Sequence, residues 1–442
     1  MPNQSTKQVS GWGRFPQLKH RVFTPRTASD LHSFVKNNEN PNAIAFGNGR
    51  SYGDSALSEC IIDCRQAQNY FIDFNSQQGT LTCQAGVTLD EILKVIVPKG
   101  WFLPVTPGTC FVTLGGAIAA DVHGKNHHLA GCFSEHITEL QLLLADGTTI
   151  SCHKNQQPDL FRATCGGMGL TGVILSATIQ LKAISSTQIL QTTHKTRNLQ
   201  ETFAVFEQNQ SSTYSVAWID CFAKNKSLGR SLVSIGEFAD DGSLTQTNKK
   251  KARTMPRWFP GFMLNSWTIK IFNTLYYHRQ RKPVKQEAVH YQQFFYPLDG
   301  IHHWNRMYGR RGFIQYQFIL PKKTSFEGLN AILKTIADAG QGSFLAVLKL
   351  HGQANENWLS FPMEGYSLAL DFKVQDKLFP LLNRLDQLVL NYKGRFYLAK
   401  DARVSREVFE QGYPNIEKFR QYRQDHNMNQ HFNSAQSLRI GL

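Results

Sequence analysis

Several features that define other classes of protein are missing from this sequence. No run approaches about 18 consecutive apolar residues, which argues against a membrane-spanning helix. No apolar segment follows the N-terminal residues, so we expect no secretory signal peptide. The eight cysteines lie between Cys60 and Cys221, include no CxxC pair and are sparse for a disulfide framework. We therefore expect reduced thiols in a cytoplasmic protein.

Acidic residues are also in short supply. Asp and Glu number 33 against 48 Lys and Arg, which gives a formal net charge of +15. Ten of the basic residues and no acidic residue lie between Lys249 and Lys285, so most of the excess is one local feature. The charge predicts an anionic partner. Because no nucleic-acid-reading module is present, we expect a membrane surface or a phosphorylated ligand and no nucleic acid.

The chain is long enough for two domains, and the pattern of its amino-acid composition changes near residue 185. Before that point, capping signatures at Thr27–Asp30 and Thr88–Glu91 predict amphipathic helices among short buried strands. After it, the glycine clusters end and alternating strands such as 366–372 appear, with a helix predicted over 326–339. We predict an α+β protein whose second domain is an antiparallel sheet with helices on one face.

The stretch from Pro107 to His128 carries the strongest signal for a ligand site. Thr113 is a candidate helix N-cap, and the residues after it are mostly glycine and alanine, so a large flat group could lie against the backbone. We predict that this helix runs to Gly124 and that polar side chains follow at once. Free N–H groups at one end and titratable groups at the other are typical of a cofactor site.

Two further glycine-rich runs surround this stretch. GNGRSYGD, residues 47–54, follows a predicted strand and is either a phosphate-binding loop or a plain surface turn. Residues 167–172 match GxGxxG, but a helix precedes them, a strand follows, and no acidic residue lies about twenty positions on. This order argues against a Rossmann site. We expect the glycines to allow close approach of the backbone to a ligand or a neighbouring strand.

Three histidines, His123, His127 and His128, form an HxxxHH pattern that could hold zinc. Gly124 and the charge of Lys125 lie within the pattern, and no acidic or thiol fourth ligand is near in the sequence. We therefore predict no metal site here.

The basic segment 249–285 is interleaved with many aromatic and aliphatic residues. One interpretation is an insertion whose apolar face packs on its own domain. The other is a flap that contacts an anionic membrane surface or covers a lipid-phosphate substrate. The sequence alone leaves both open.

Three motifs in this order and spacing resemble a known family: GNGRSYGD, PGTCFVTLGGAIAADVHGKNHH and CGGMGLTG. They are similar to the FAD-binding domain of the vanillyl-alcohol oxidase superfamily. Within it, the chain resembles the flavoprotein oxidase subunits of decaprenylphosphoryl-ribose 2′-epimerases, and FYPLD (295–299) and FYLAKDAR (396–403) extend the likeness through the second half.

The resemblance implies a two-lobed PCMH-type FAD-binding domain at 1–184, a substrate domain at 185–394 and a C-terminal segment, 395–442, that returns to the first domain. Many relatives attach FAD through a histidine where this chain has Arg50, so we expect FAD to be held without a covalent bond. The residues expected to contact the cofactor are Gly47, Asn48, Gly49, Arg50, Ser51, Tyr52, Gly53, Pro107, Gly108, Thr109, Thr113, Gly116, Ala117, Asp121, His123, Gly124, Asn126, His127, Gly167, Gly169, Gly172, Val173 and Tyr397.

The resemblance also implies a reaction: hydride transfer from C2′ of a polyprenyl-phospho-ribose to flavin N5, which leaves a 2′-keto sugar. The departing hydroxyl proton requires a base or a stabilising cation, and Lys400, His123 and Tyr52 match the family's positions. The alternative for Lys400 is a surface lysine paired with Asp401. The expected substrate-binding residues are Trp218, Gln315, Gln317, Lys349, Ser367, Ala369 and Lys400.

The same resemblance to the family also implies functional partners for this protein. The family works with an NADH-dependent short-chain reductase on a lipid-linked sugar phosphate, which implies peripheral contact with the inner face of a membrane. Two positions depart from it: Ala369 replaces a cysteine that faces the flavin, and Ser367 replaces an amide residue. Alternatives are an aldonolactone or alditol oxidase of small soluble sugars, a flavin-bound scaffold without turnover, and an anion-binding protein without flavin.

Overall fold

The computed structural model of this chain describes residues 4–37, 42–244 and 253–442. A small lobe opens the first domain; its sheet has the order β1-β2-β4-β3. Strands β2, β4 and β3 run parallel, and the buried face of α1 packs against this sheet. The elements of this lobe are β1 (Gln4–Val9), β2 (Leu18–Phe23), α1 (Ala28–Lys36), β3 (Ala43–Phe46) and β4 (Cys60–Asp63).

The second lobe is an antiparallel five-stranded sheet with short helices, and a two-stranded ribbon of β7 and β11 closes it. The sheet order is β5-β6-β10-β8-β9. The predicted capping box of Thr88 and Glu91 is present at the start of α2. The elements are β5 (Phe71–Asn75), β6 (Thr80–Gln84), α2 (Leu89–Ile96), β7 (Trp101–Phe102), α3 (Leu114–Ala119), α4 (His127–Ala130), β8 (Ile137–Leu143), β9 (Thr149–Cys152), α5 (Pro158–Thr164), β10 (Val173–Gln180) and β11 (Lys182–Ala183).

Helix α3 is shorter than the sequence predicts. Thr113 caps it as expected, but it ends at Ala119 and not at Gly124. The next residues turn sharply, because Asp121 takes a left-handed conformation with φ of 39°. Its buried carboxylate fixes the turn by accepting hydrogen bonds from distant residues, among them Asn357 at 2.9 Å and Ser360 at 2.6 Å.

The second domain is built on one antiparallel eight-stranded sheet in the order β16-β12-β14-β13-β19-β20-β18-β21, which confirms the predicted α+β class. A parallel pair, β15 and β17, lies beside it. The elements are β12 (Gln188–Thr196), α6 (Leu199–Gln208), β13 (Tyr214–Ile219), β14 (Ser231–Phe238), β15 (Arg253–Thr254), α7 (Ser266–Arg279), β16 (Val284–His290), α8 (Tyr291–Phe295), β17 (Ile301–His302), β18 (Phe313–Pro321), α9 (Lys322–Asp338), β19 (Ala346–His351), β20 (Gly365–Lys373), α10 (Leu378–Asn391) and β21 (Arg395–Phe396).

The two faces of this sheet have different roles. On β18, the Tyr316 hydroxyl donates to Asp386 of α10 at 3.0 Å, so this side of the strand lies under the helices. Gln315 and Gln317 alternate with Tyr316 and line a cavity on the opposite side. Helices α9 and α10 therefore cover one face, and the other is left to the first domain.

Three helices follow near the C-terminus: α11 (Arg406–Gly412), α12 (Ile416–Asp425) and α13 (Ala435–Ile440), of which α12 and α13 contact the first domain. Arg439 of α13 pairs with Asp54 and with Asp401, each at 2.8 Å. All eight cysteines are free and buried. Of the segment 249–285, residues 249–252 lie outside the described part of the chain. Among the described helices, none combines the length and the apolar character needed to cross a bilayer.

Candidate active site

A cavity of about 1150 Å³ lies between the first domain and the open face of the large sheet. Its lining includes the glycine-rich loops of the first domain and residues of β18, β19 and β20. Most of the residues predicted to bind a cofactor or substrate line it: Gly47, Asn48, Gly49, Arg50, Ser51, Tyr52, Pro107, Gly108, Thr109, Thr113, Gly116, His123, Gly169, Gly172, Trp218, Gln315, Gln317, Lys349, Ser367, Ala369, Tyr397 and Lys400.

The loop that begins at Gly47 lies against the start of α3. The Thr113 hydroxyl accepts a hydrogen bond from the Gly116 N–H at 3.2 Å, and a Cβ at position 47 would lie 2.4 Å from that oxygen. Gly49 takes the left-handed conformation, with φ of +58°. The absence of side chains here leaves bare backbone facing the cavity, a cradle that suits a phosphate.

Arg50 supplies the positive charge of this loop. Its guanidinium lies 4.2 Å from the centre of the Trp12 ring and 5.1 Å from that of Phe111. Its buried Nε has no hydrogen-bond partner among the described residues. Burial lowers the pKa of Arg50, and the charge of Asp299 partly offsets this. The unpaired donor beside a glycine cradle fits the pyrophosphate of FAD.

The glycines of the GxGxxG run allow the backbone beside the cavity to pack closely against a neighbouring strand. A Cβ at Gly172 would lie 2.6 Å from the carbonyl oxygen of Leu143 on the neighbouring strand β8. Helix α5 precedes the run and strand β10 follows it, which is the reversed order read from the sequence. The predicted close approach to a neighbouring strand is confirmed.

The Lys400 ammonium lies 3.8 Å from the centre of the ring of Tyr52, which belongs to the loop that begins at Gly47. Burial lowers the pKa of Lys400 to about 7; the charge of Asp371 opposes this and that of Lys349 adds to it. Pairing of Lys400 with Asp401 is wrong: the Asp401 carboxylate accepts from Arg439 at 2.8 Å and from the backbone of Val404 at 2.8 Å. Lys400 therefore combines cavity access with an easily lost proton.

Asp371 is a site residue that the sequence interpretation missed. It lies opposite Gln315 in the pairing of β20 with β18, accepts from its amide at 2.6 Å and from the Tyr308 hydroxyl at 3.3 Å. Burial raises the pKa of Asp371 to about 7, while Gln315 and Lys400 limit the rise. The period of two along β20 could have revealed it, since Asp371 shares a face with Ser367 and Ala369.

A buried hydrogen bond of 3.0 Å joins Gln317 to Nε2 of His123 and so links the two domains across the cavity. Burial, with the charge of Lys349 adding to it, lowers the pKa of His123 well below its usual value. The imidazole is therefore neutral. Its Nδ1 has no partner among the described residues, which leaves a hydrogen-bonding atom available to a ligand.

His351 is a second residue that the sequence interpretation missed. It follows Lys349 by two positions on β19, and its Nε2 lies 2.7 Å from the hydroxyl of Ser367. Its ring centre is 5.0 Å from that of His123. Ser367 is thus oriented by a buried imidazole.

Two more lysines add positive charge to the cavity. Burial lowers the pKa of Lys349 to about 8. Burial also lowers the pKa of Lys125 to about 7, with the charge of Lys349 contributing, and its ammonium lies 4.2 Å from the centre of the Phe294 ring. With Lys400 they form a group of amines, each able to hold or release a proton near neutral pH, that favours an anionic or oxygen-rich substrate.

Helix α7 forms one side of the cavity mouth. Tyr276 packs edge-on against Trp218 with ring centres 4.8 Å apart, and the Trp218 indole donates to the Phe344 carbonyl at 3.0 Å. The mouth also carries four basic residues of the segment 249–285 that we did not predict to belong to the site. They are Arg279, Arg281, Lys282 and Lys285.

Eight of the residues predicted to contact the cofactor do not line the cavity. Asp121 is saturated by the hydrogen bonds that fix the turn after α3. His127 lies 3.4 Å from the thiol of Cys132, and Asn126 donates to the Pro104 carbonyl at 2.8 Å. Ala117 and Val173 are buried in the hydrophobic cores of the first domain. These side chains support the cavity wall from behind.

The remaining three are glycines that allow close packing. A Cβ at Gly53 would lie 1.7 Å from the Asp401 carbonyl, so this glycine brings the 47–53 loop against the segment that carries Lys400. A Cβ at Gly124 would lie 2.5 Å from Asn126, and one at Gly167 would lie 1.9 Å from the Ala163 carbonyl. In the described part of the chain no cluster of His, Cys, Asp or Glu could hold a metal ion.

The chain is similar to known FAD-dependent proteins. A family described as the FAD binding domain matches residues 20–153. The chain is 35% identical to decaprenylphosphoryl-β-D-ribose oxidase of Mycolicibacterium smegmatis over 454 residues, which cover 99% of this chain and 98% of that enzyme. It is 26% identical to mouse L-gulonolactone oxidase over 38% of each chain. It is 32% identical to human Δ24-sterol reductase over 25% of this chain and 21% of that enzyme.

Proposed function

Since this chain belongs to the vanillyl-alcohol-oxidase-type FAD oxidoreductases, in the family of decaprenylphosphoryl-β-D-ribose oxidase, we propose that it oxidises the 2′-hydroxyl of a polyprenyl-phospho-pentose to the 2′-keto sugar. The protein is an FAD-dependent oxidoreductase. The observation that carries the proposal is the cluster of Lys400, Tyr52, Gln317 and Lys349, which lines the same cavity as the glycine cradle.

FAD, when bound, supplies the hydride acceptor at its N5. The protein must then manage the hydroxyl proton that is released as the C2′–H bond breaks and the C=O bond forms. Lys400 suits this role because its lowered pKa leaves a share of neutral amine at pH 7 to accept the proton. Tyr52, under the Lys400 ammonium, keeps its own proton because burial raises its pKa well above the usual value.

The remaining residues orient the sugar. His123 is fixed by Gln317, and Ser367 by His351, so that each offers a hydrogen-bonding atom in a defined direction. Lys349, opposite Ser367 in the pairing of β19 and β20, adds a cation beside the sugar oxygens. A polyol held by fixed partners on several sides presents one carbinol to the cofactor.

The mouth suits the phosphate and the lipid. Arg279, Arg281, Lys282 and Lys285 line it, which favours a phosphate at the opening of the cavity. On the outer side of α7, Trp267, Ile271 and Leu275 are 76%, 57% and 67% exposed and follow one another at helical spacing. We propose that the polyprenyl chain leaves along this apolar face, with the protein at the inner surface of a membrane.

The 2′-keto product is an intermediate in an epimerisation. We propose that an NADH-dependent short-chain reductase, as a functional partner, reduces the ketone from the opposite face. In its absence the protein should release only the keto sugar, with no inverted pentose.

Anaerobic titration of the purified flavoprotein tests the substrate class. Polyprenyl-phospho-ribose should bleach the visible flavin absorbance, whereas free ribose and aldonolactones should not. The likeness to L-gulonolactone oxidase, which covers 38% of this chain, gives the alternative: an oxidase of small soluble lactones or alditols. Bleaching by a lactone and none by the lipid-linked sugar would establish that alternative and overturn the proposal.

A further inference from the structure

A second pocket, of about 560 Å³, lies beside the cofactor cavity and shares Trp12, Asn48 and Gly49 with its wall. Four arginines line it together with His303: Arg14, Arg257, Arg306 and Arg310. None of these four lines the cofactor cavity, whose arginine in the 47–53 loop is Arg50. These four arginines therefore lie outside the cavity in which we propose that the oxidation takes place.

The charge of this pocket is not balanced by the protein. Among the described residues, none of the four guanidinium groups forms an ion pair; the neighbouring Arg311 takes Asp376. Arg14 and Arg306 are held by backbone carbonyls only, of Gly309 at 3.3 Å and Met255 at 2.8 Å. Burial lowers the pKa of Arg14, and repulsion by the charge of Arg306 adds to this effect. A phosphate group would relieve this repulsion.

Two exposed apolar side chains lie on the segment that follows Arg257 in the chain. Trp258, next to Arg257, is 80% exposed, and Met263 is 50% exposed. Their segment is anchored close by, since a Cβ at Gly261 would lie 3.1 Å from Cα of Gly309 and the Lys373 ammonium donates to the Gly261 carbonyl. Arginines for phosphates beside an exposed tryptophan are the combination that binds a bilayer interface.

We propose that the pocket formed by Arg14, Arg257, Arg306 and Arg310, together with the exposed Trp258 and Met263 on the segment after Arg257, docks this protein on an anionic phospholipid bilayer, where the pocket takes the phosphate of one headgroup. The charge complementarity commits the site to lipid phosphate, and the exposed tryptophan favours a lipid over a soluble anion. The docking site would hold the enzyme on the membrane that contains its substrate, and only this purpose rests on the proposed function.

Co-flotation of the FAD-loaded protein with vesicles tests the site. Binding should occur to a two-to-one mixture of phosphatidylcholine and phosphatidylglycerol and not to phosphatidylcholine alone. The variant Arg257→Gln/Arg310→Gln should weaken binding by roughly tenfold or more, because each basic residue near the surface contributes substantially. Both side chains are exposed and make no hydrogen bond in the described structure, so the fold should be retained. Trp258→Ala should weaken binding further.

The matched control is Lys323→Gln/Lys334→Gln, which removes the same charge from α9 on the covered side of the large sheet and should leave vesicle binding unchanged. Equal binding of the wild type and the Arg257→Gln/Arg310→Gln variant would overturn the proposal. Binding of inorganic phosphate by a protein that binds no vesicles would also overturn it. So would a loss of vesicle binding that occurs only in the variant Trp267→Ala/Leu275→Ala, because that result would assign docking to α7.

Flavin bleaching by detergent-dispersed substrate separates this inference from the proposed function. The arginine variant should be bleached at the wild-type rate. Vesicle binding without bleaching in the wild type would contradict the proposed function alone, and bleaching without vesicle binding would contradict the docking site alone.

Discussion

The ammonium of Lys400 lies 3.8 Å over the ring of Tyr52, and this contact joins the C-terminal half of the chain to the first glycine-rich loop. A backbone hydrogen bond of 3.0 Å from the Tyr52 N–H to the Ala399 carbonyl holds the two segments in register. The base proposed for the reaction is thus positioned by the same loop that forms the cradle for the cofactor. Loss of cofactor and loss of chemistry can nevertheless be separated by mutation.

Lys400→Met should keep the bound flavin and lose its reduction by substrate. The methionine preserves the packing over Tyr52 but removes the amine, so the rate of flavin bleaching should fall by roughly 100-fold or more. Stopped-flow absorbance measures this. Lys418→Met is the control, because Lys418 also lies over an aromatic ring, 4.5 Å from the centre of Trp358, but outside the cavity. Normal bleaching in Lys400→Met would remove Lys400 from the mechanism.

The rate of flavin reduction should rise with pH through about 7, because burial lowers the pKa of Lys400 to about 7 and the neutral amine is the base. Asp371→Asn removes a negative charge that raises this pKa, so the rising limb should move to lower pH. Asp338→Asn, at the far end of α9, should leave the profile in place. A rate that falls over the same range would contradict the role of the neutral amine.

Gly47→Ala should weaken FAD binding. The added methyl group would lie 2.4 Å from the Thr113 hydroxyl, and the clash should cost about 1–3 kcal/mol, or roughly tenfold to a hundredfold in affinity. Flavin fluorescence titration of the apoprotein measures it. Gly300→Ala is the matched control, since its Cβ meets nothing within 4 Å. Full affinity in Gly47→Ala would show that the loop does not form the cradle.

The flavin should be bound without a covalent link, because Arg50 stands where many relatives carry the attachment histidine. Acid precipitation should therefore give a colourless pellet and a yellow supernatant. The intact mass of the denatured chain should equal that of the polypeptide. A yellow pellet, or a mass increased by one FAD, would locate a covalent bond elsewhere.

The folded wild-type protein should resist thiol reagents, because its eight cysteines are all buried. Ala369→Cys should create one reactive thiol in the cavity, on the same face of β20 as Ser367. Mass spectrometry after brief iodoacetamide treatment would count the labels, and bound FAD should protect the new thiol. Rapid labelling of the wild type would show that a buried cysteine is accessible.

The local parts of this architecture could be predicted from the sequence, because their causes lie within a few residues. The capping box at Thr88–Glu91 and the alternation in β20 are examples. The end of α3 could not be predicted from the sequence, because Asp121 is held by Asn357 and Ser360, which lie more than two hundred residues away.

The site divides in the same way. The resemblance of the motifs to a known family predicted the glycine loops and Lys400 as parts of the site. Asp371 and His351 could not be predicted in this way, because their roles depend on hydrogen bonds to residues on neighbouring strands. The arginines of the second pocket come from three separate segments of the chain, with Arg14, Arg257 and Arg306 as examples, so no local pattern could reveal the pocket.

The central claim is that the hydrogen on C2′ of a lipid-linked pentose is transferred as hydride in this cavity. Single-turnover bleaching of the flavin by polyprenyl-phospho-ribose with deuterium at C2′ measures this step directly. The account predicts bleaching that is several-fold slower than with the unlabelled substrate, and no change with deuterium at C3′. Bleaching at the same rate with deuterium at C2′, or no bleaching by either substrate, would contradict it.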